Sequence, residues 1–234
     1  MENTLVRLVI SQSELFSTWP AEVVSRLVAA ADLCTVEADS CLIRTGDTAD
    51  FLYILATGSI RLVRGTPSGR NFTAGLHLPG DYHGLGPVLT QVPYFYTAMC
   101  KQKSILVRIP APLLREILCE DGRLSFTLFA GLGQRHRRAL DHFESAATHP
   151  TNARIAQLLK AIHARSRRGM ESADVSLSQV EIATMLGTRR QVVNRVLRAM
   201  ADDGIVEIRY GKLSIVDWEK LEKLAGEPSL PSLE

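Results

Sequence analysis

An α+β chain, with an N-terminal jelly-roll or β-roll domain, a long helix and a C-terminal winged helix-turn-helix, is what this 234-residue sequence predicts. Three observations carry the prediction. Short apolar runs punctuated by glycine fill Leu33 to Ile109. An apolar seam at alternating three- and four-residue spacing follows from Arg123, and two capped helical patterns meet at Gly187. The length suits two domains of ordinary size, and 46% hydrophobic with 22% charged residues is the composition of a soluble globular protein.

Taken in order, residues 11–30 contain a helical pattern after Pro20, with Val23, Val24, Leu27 and Val28 on one side. The β-type runs then include Phe51 to Leu55, Ser59 to Val63 and Ile105 to Ile109. Turn signals fall at Gly46-Asp47, Thr57-Gly58, Pro67-Ser68-Gly69 and Pro79-Gly80-Asp81. Residues 111–120 read as a short helix, and a longer one spans about Arg123 to Ala147. Along it Phe129, Leu132, His136, Ala139, Phe143 and Ala146 form a coiled-coil seam that predicts a parallel homodimer, the alternative being a helix packed on its own domain. Gly131 and Gly133 weaken that helix, and His149-Pro150 ends it at an expected hinge. Residues 151–165 form another helix, with Ile155, Leu158, Leu159 and Ile162 facing inward. The implied divisions are 1–122 for the roll, 123–149 for the dimerisation helix and hinge, 150–226 for the winged helix-turn-helix and 227–234 for a disordered tail.

The segment from Leu177 to Ala201 carries the chemistry. Its two helices each open on a capping-box pattern, Ser178 with Glu181 and Thr188 with Gln191. In the second helix Val192, Val193, Val196, Leu197 and Met200 fall on one arc, to be buried. Arg190, Gln191, Asn194, Arg195 and Arg198 fall on the other. Arginine can grip guanine O6 and N7, and an amide can grip adenine N6 and N7, so this face suits base edges in a major groove. Arg189 lies off that arc and is assigned to phosphate. Ser178, Gln179 and Thr188 join the expected DNA-binding set. Ile205 to Ile208 and Leu213 to Val216 then make a two-stranded wing, with Arg209 and Lys212 placed to touch phosphate.

Charge is distributed to match. Net charge is only +2, but residues 151–212 hold 11 lysines and arginines against 6 acidic residues, while 1–150 balance at 14 each. The excess sits where phosphate affinity needs it. No apolar run approaches a bilayer span and MENTLVRLVI lacks a signal-peptide core, so the expected location is the cytoplasm, with no membrane partner. Cys34, Cys41, Cys100 and Cys119 match no zinc or iron–sulfur spacing and read as free thiols, with a Cys34–Cys41 redox couple the alternative. No nucleophile–base pair, phosphate loop or metal-ligand spacing marks an enzyme.

Three segments, GDTADFLYILATGSIRLV (Gly46 to Val63), LPGDYHG (Leu78 to Gly84) and EIATMLGTRRQVVNRVLRAMADDGIV (Glu181 to Val206), give the chain a resemblance to the CRP/FNR family of bacterial transcription regulators, from about Leu15 to Leu224. The resemblance implies a double-stranded DNA partner with a pseudo-palindromic operator, and RNA polymerase as a further partner if the protein activates. The family's recognition helix carries Arg-Glu-x-x-x-Arg. Arg190 and Arg195 match its arginines and Gln191 replaces the glutamate, so the half-site should differ from TGTGA-like or TTGAT-like elements.

The effector region departs further. Cyclic-AMP-binding members place a glutamate within Gly-Glu-Leu and an arginine before Ser/Thr-Ala. Here Leu85 stands between Gly84 and Gly86, and Tyr96 precedes Thr97 and Ala98. Without those charged partners cyclic AMP is not the expected effector. The oxygen-sensing branch's N-terminal cysteine cluster is also missing. His83, Gly84, Leu85, Gly86, Tyr96 and Thr97 remain the expected effector pocket, occupied by a non-cAMP molecule or closed by its own side chains. Two alternatives stay open: a haem-based gas sensor using His77 or His83 as axial ligand, and a protein-binding roll for which the helix-turn-helix is scaffold.

Overall fold

The computed structural model describes residues 2–65, 71–166, 174–175, 177–209 and 212–226. The chain divides into two compact units, 1–135 and 136–234.

The first unit opens with two helices, α1 (Glu2–Gln12) and α2 (Ala21–Ala30). β1 (Asp32–Val36), β2 (Cys41–Ile43), β3 (Phe51–Thr57), β4 (Ile60–Gly65), β5 (Asn71–His77) and β6 (Tyr82–His83) follow. A short helix α3 (Leu85–Thr90) precedes β7 (Thr97–Cys100), β8 (Ser104–Pro110) and α4 (Ala111–Glu120). The strands form two four-stranded antiparallel sheets, in the orders β1-β8-β3-β6 and β2-β7-β4-β5. One core lies between them, built from Ile43, Tyr53, Leu55, Ile60, Leu62, Ala98, Cys100 and Leu106. Leu52, Ile54, Val107 and Ile109 point the other way, into a second core shared with α1, α2, α3 and α4. β3 is thus buried on both faces, which is why its sequence is a continuous apolar run rather than an alternation.

The long helix, α5 (Leu124–Thr148), matches the span expected from its seam. Leu124 and Leu128 anchor its start in the second core. Gly131 passes so close to the roll that a Cβ there would lie 3.3 Å from Leu15 Cδ2 and 3.4 Å from the Tyr82 hydroxyl. A side chain there would press on both by a few tenths of an ångström. One turn on, Arg135 donates to the Tyr82 carbonyl at 2.8 Å and lies 3.5 Å over the Tyr82 ring.

In the second unit α6 (Thr151–Ser166) buries Ile155, Leu158, Leu159 and Ile162, as expected. Ser145 near the end of α5 donates to Gln157 Oε1 at 2.6 Å, and Gln157 donates to the Ala225 carbonyl at 2.9 Å. The expected hinge at His149-Pro150 is thus bridged by a side-chain bond. β9 (Asp174–Val175), α7 (Gln179–Met185), α8 (Arg190–Asp202), β10 (Val206–Arg209), β11 (Lys212–Ile215) and α9 (Trp218–Ala225) complete the chain. The wing has three strands, ordered β10-β11-β9, rather than the two expected. The Pro67-Ser68-Gly69 turn and the 227–234 tail lie outside the described residues. No helix among the described residues is long and apolar enough to cross a membrane. All four cysteines are free, and only Cys100 is fully buried.

Candidate nucleic-acid interface and the interior of the roll

α7 and α8 pack as a helix-turn-helix around Gly187, which takes the positive φ of 63° that the turn requires. The first capping box forms: Ser178 Oγ accepts from Glu181 N–H at 3.2 Å, and Glu181 Oε2 accepts from Ser178 N–H at 2.9 Å. The second does not. α8 begins one residue later than the Thr188 pattern requires, its N-cap is Arg189, and no side chain caps it. The Thr188 amide instead donates to the Ala183 carbonyl at 2.8 Å, closing the turn. Arg154 on α6 donates to the Leu186 carbonyl at 2.6 Å and fixes the turn from beneath.

α8 divides as its sequence predicts, with one refinement. Val193, Leu197 and Met200 are buried, while Val192 and Val196 are half-buried. Arg189, Arg190, Gln191, Arg195 and Arg198 are exposed. No hydrogen bond or ion pair engages Arg190, Arg195 or Arg198 among the described residues. Asn194 differs from expectation: its amide donates to Gln179 Oε1 at 2.9 Å, so two residues expected to reach DNA separately form one inter-helix pair. On the wing, Arg209 pairs with Glu207 at 2.9 Å, an exposed bridge that a phosphate would have to displace. Lys212 opens β11; its side chain, like Tyr210 and Gly211, lies outside the described residues.

Two of the expected effector residues, Leu85 and Tyr96, pack on different cores. Gly84, at φ 96°, is the N-cap of α3, and a Cβ on it would fall 2.8 Å from Tyr94 Cε1. Leu85, the first residue of α3, is 2% exposed and belongs to the core under the helices, whereas Tyr96 packs on the core between the sheets. The reason is α3 itself, which turns Leu85 inward as an apolar anchor. Gly86 is half-buried with open space beside it. Thr97 Oγ1 accepts from the Thr45 amide at 3.1 Å. The Tyr94 hydroxyl donates to the Phe51 carbonyl, and burial pushes its phenol pKa up.

His77 and His83 are both buried and bonded to each other, Nε2 to Nδ1, at 3.3 Å. His83 also stacks on Tyr94, with centroids 5.7 Å apart and planes at 14°, and its Nε2 is buried without a hydrogen-bond partner. Desolvation, with His77 and Arg135 adding to it, holds the His83 imidazole down to about 3. Axial ligation of a haem needs a ring nitrogen with open space before it, and in this arrangement His83 Nε2 is buried while His77 Nε2 is bonded to His83.

Sequence reasoning missed Arg135 and the Gln179–Asn194 pair. The first had a signal, because Gly131 and Arg135 lie on one face of α5 at four-residue spacing. The second had none, since it joins different helices.

A β-roll, a long helix and a winged helix-turn-helix define the class of two-part chains with a C-terminal DNA-binding domain. Residues 33–121 match the cyclic nucleotide-binding domain model, and 153–224 match the Crp-like helix-turn-helix domain. The transcriptional regulator LdrP of Thermus thermophilus is 30% identical over 187 residues, covering 77% of this chain and 90% of that protein. The HTH-type transcriptional regulator Cmr of Mycobacterium tuberculosis is 27% identical, covering 76% and 70%. The solved structure of FixK2 from Bradyrhizobium japonicum superposes with a TM-score of 0.75 at 21% identity, covering 84% of this chain and 98% of that one. The chain belongs to the CRP/FNR family of transcriptional regulators, whose members are not enzymes, and carries that family's DNA-binding helix-turn-helix.

Proposed function

We propose that this chain is a homodimeric, sequence-specific regulator of transcription that works in the cytoplasm and is controlled by a non-cAMP effector or by none. The observation that carries the reading is the exposed row of Arg190, Gln191 and Arg195 over the buried Val193, Leu197 and Met200. Two such rows, one per protomer, read half-sites about 34 Å apart on a pseudo-palindrome. Arg190 and Arg195 supply the bidentate donors for guanine. Gln191 favours adenine over the cytosine amino group a glutamate would accept from. Arg189 and the wing contribute phosphate contacts, and RNA polymerase joins as a partner if the protein activates.

The seam on α5 supports the dimer. Phe129 and Phe143 are 62% and 76% exposed, and His136, Ala139 and Ala146 are exposed with them. A row of aromatic and small residues on one helix face favours burial against a second copy.

Cyclic AMP lacks its partners. A relative named as the cyclic AMP receptor protein of Thermus thermophilus is 26% identical, but Leu85 is an apolar core residue here and Tyr96 carries no charge for a cyclic phosphate.

Arg195→Ala tests the reading. Specific operator binding, measured by fluorescence anisotropy, should fall at least about tenfold, the value of one bidentate base contact, while melting temperature and mass in solution stay unchanged. Unchanged operator affinity would overturn the assignment of α8.

A further inference from the structure

The helices α1 and α2 precede residue 33 and so lie outside both family matches. They are also where the first unit holds a crevice of about 220 Å³, lined by Arg7, Ser11, Phe16, Ser17, Trp19, Val24 and the exposed Ala21. We propose that this crevice is a binding site for a small monocarboxylate with an apolar body of aryl size.

Each part of the ligand has a counterpart. Phe16 and Trp19 are buried and meet edge to face, with centroids 4.8 Å apart, giving a rigid apolar floor with Val24. Arg7 and Ser11 stand one turn apart on α1 and therefore share a face, and Ser17 supplies a second hydroxyl. Among the described residues no carboxylate pairs with Arg7. Its guanidinium makes only two long bonds, both 3.3 Å, to Ser25 Oγ. A planar fork without an anion beside an apolar floor is the pattern that grips a carboxylate bidentately. The volume equals that of about seven waters at ~30 Å³ each, room for one ring and a short acid arm but not for a nucleotide.

The site is wired to the rest of the unit. Trp19 Nε1 donates to Thr127 Oγ1 at 2.7 Å, and Thr127 donates to the Leu124 carbonyl at 2.8 Å, so the crevice floor is hydrogen-bonded to the first turn of α5. A ligand that shifts Trp19 acts on the anchor of that helix.

Phenylacetate is the probe, with phenylacetamide as its neutral counterpart. The chain has two tryptophans, so Trp218→Phe in the full-length protein leaves Trp19 as the sole reporter. Phenylacetate should change Trp19 emission saturably. Phenylacetamide, and phenylacetate with Arg7→Gln, should bind at least about tenfold more weakly, since a charged hydrogen-bond partner is lost. Arg7 is exposed, so the variant should melt as the parent does. Ala21→Phe, which fills the crevice without touching charge, should abolish the signal. No saturable change with phenylacetate, equal binding of the amide, or binding unaffected by either substitution overturns the proposal.

Discussion

The interior of the roll and the outer face of α8 treat their polar groups in opposite ways. In the roll, His77 bonds to His83, Thr97 to Thr45 and Tyr94 to the Phe51 carbonyl, so recognition capacity is spent inside the protein. On α8, Arg190, Arg195 and Arg198 reach solvent over the buried Val193, Leu197 and Met200. Polar groups inside a fold need partners, and these found them within the roll, although His83 Nε2 stays buried without one. An exposed cationic row carries no such obligation and keeps its affinity for phosphate and base edges. One chain therefore keeps the polar groups of its roll inside and presents the cations of α8 outward.

The exposed aromatics of α5 belong with the outward-turned group if the chain dimerises, and this is where the largest effect lies. Phe143→Asp places a charge on the seam. It should convert dimer to monomer in sedimentation and, by removing the second half-site contact, weaken operator binding about 10²- to 10⁴-fold. A dimer that survives the substitution would take α5 out of this group. Gln191→Glu sharpens the comparison on α8 alone. In selection from a randomised operator library, preference at one base should move from adenine towards cytosine by about tenfold, with half-site spacing unchanged.

The inward side is tested with acid. The unfolded chain binds a proton on His83 near the ordinary value of 6.5, and the folded chain only at about 3. Below pH 6.5 the unfolded state therefore holds more protons, and stability falls as pH falls, by up to about 1.4 kcal/mol per pH unit. The carboxylates of Asp32, Glu120 and Glu222, whose pKa values are lowered by their cationic partners, give up their stabilisation from about pH 5 downward, so the slope between about pH 5.5 and 6.5 is the one to read for the histidine. His83→Gln should flatten that slope. A slope that persists would place the buried proton elsewhere. The smallest effect separates the two helix starts: Ser178→Ala should cost about 1 kcal/mol in denaturant unfolding, and Thr188→Ala less than about 0.5.

Much of this was legible in the sequence because it rests on local patterns. The β runs, the long helix and the split of α8 follow from periodicity over a few residues. The readable signals failed where tertiary contact decides. α1 buries Val6 and Ile10 against other elements, whereas the helical pattern read near the N-terminus begins only after Pro20. β9 is two residues defined by a partner some forty positions away. Leu85 and Tyr96 are eleven residues apart and were expected to close one pocket, yet α3 sends them into different cores. The Thr188 capping pattern satisfied the spacing rule and still lost to a turn bond with Ala183.

That lost cap has a consequence of its own. A helix whose first residue offers no acceptor begins with bare amide hydrogens and the positive end of its dipole. Here the residue in that place is Arg189, which adds a cation where helices ordinarily prefer an anion. The arrangement forgoes local stability in the free protein and leaves the front of α8 to be completed by whatever negative oxygen approaches it. On the proposed function, the recognition helix would be finished by its target, a DNA phosphate taking the N-cap place that the sequence omits.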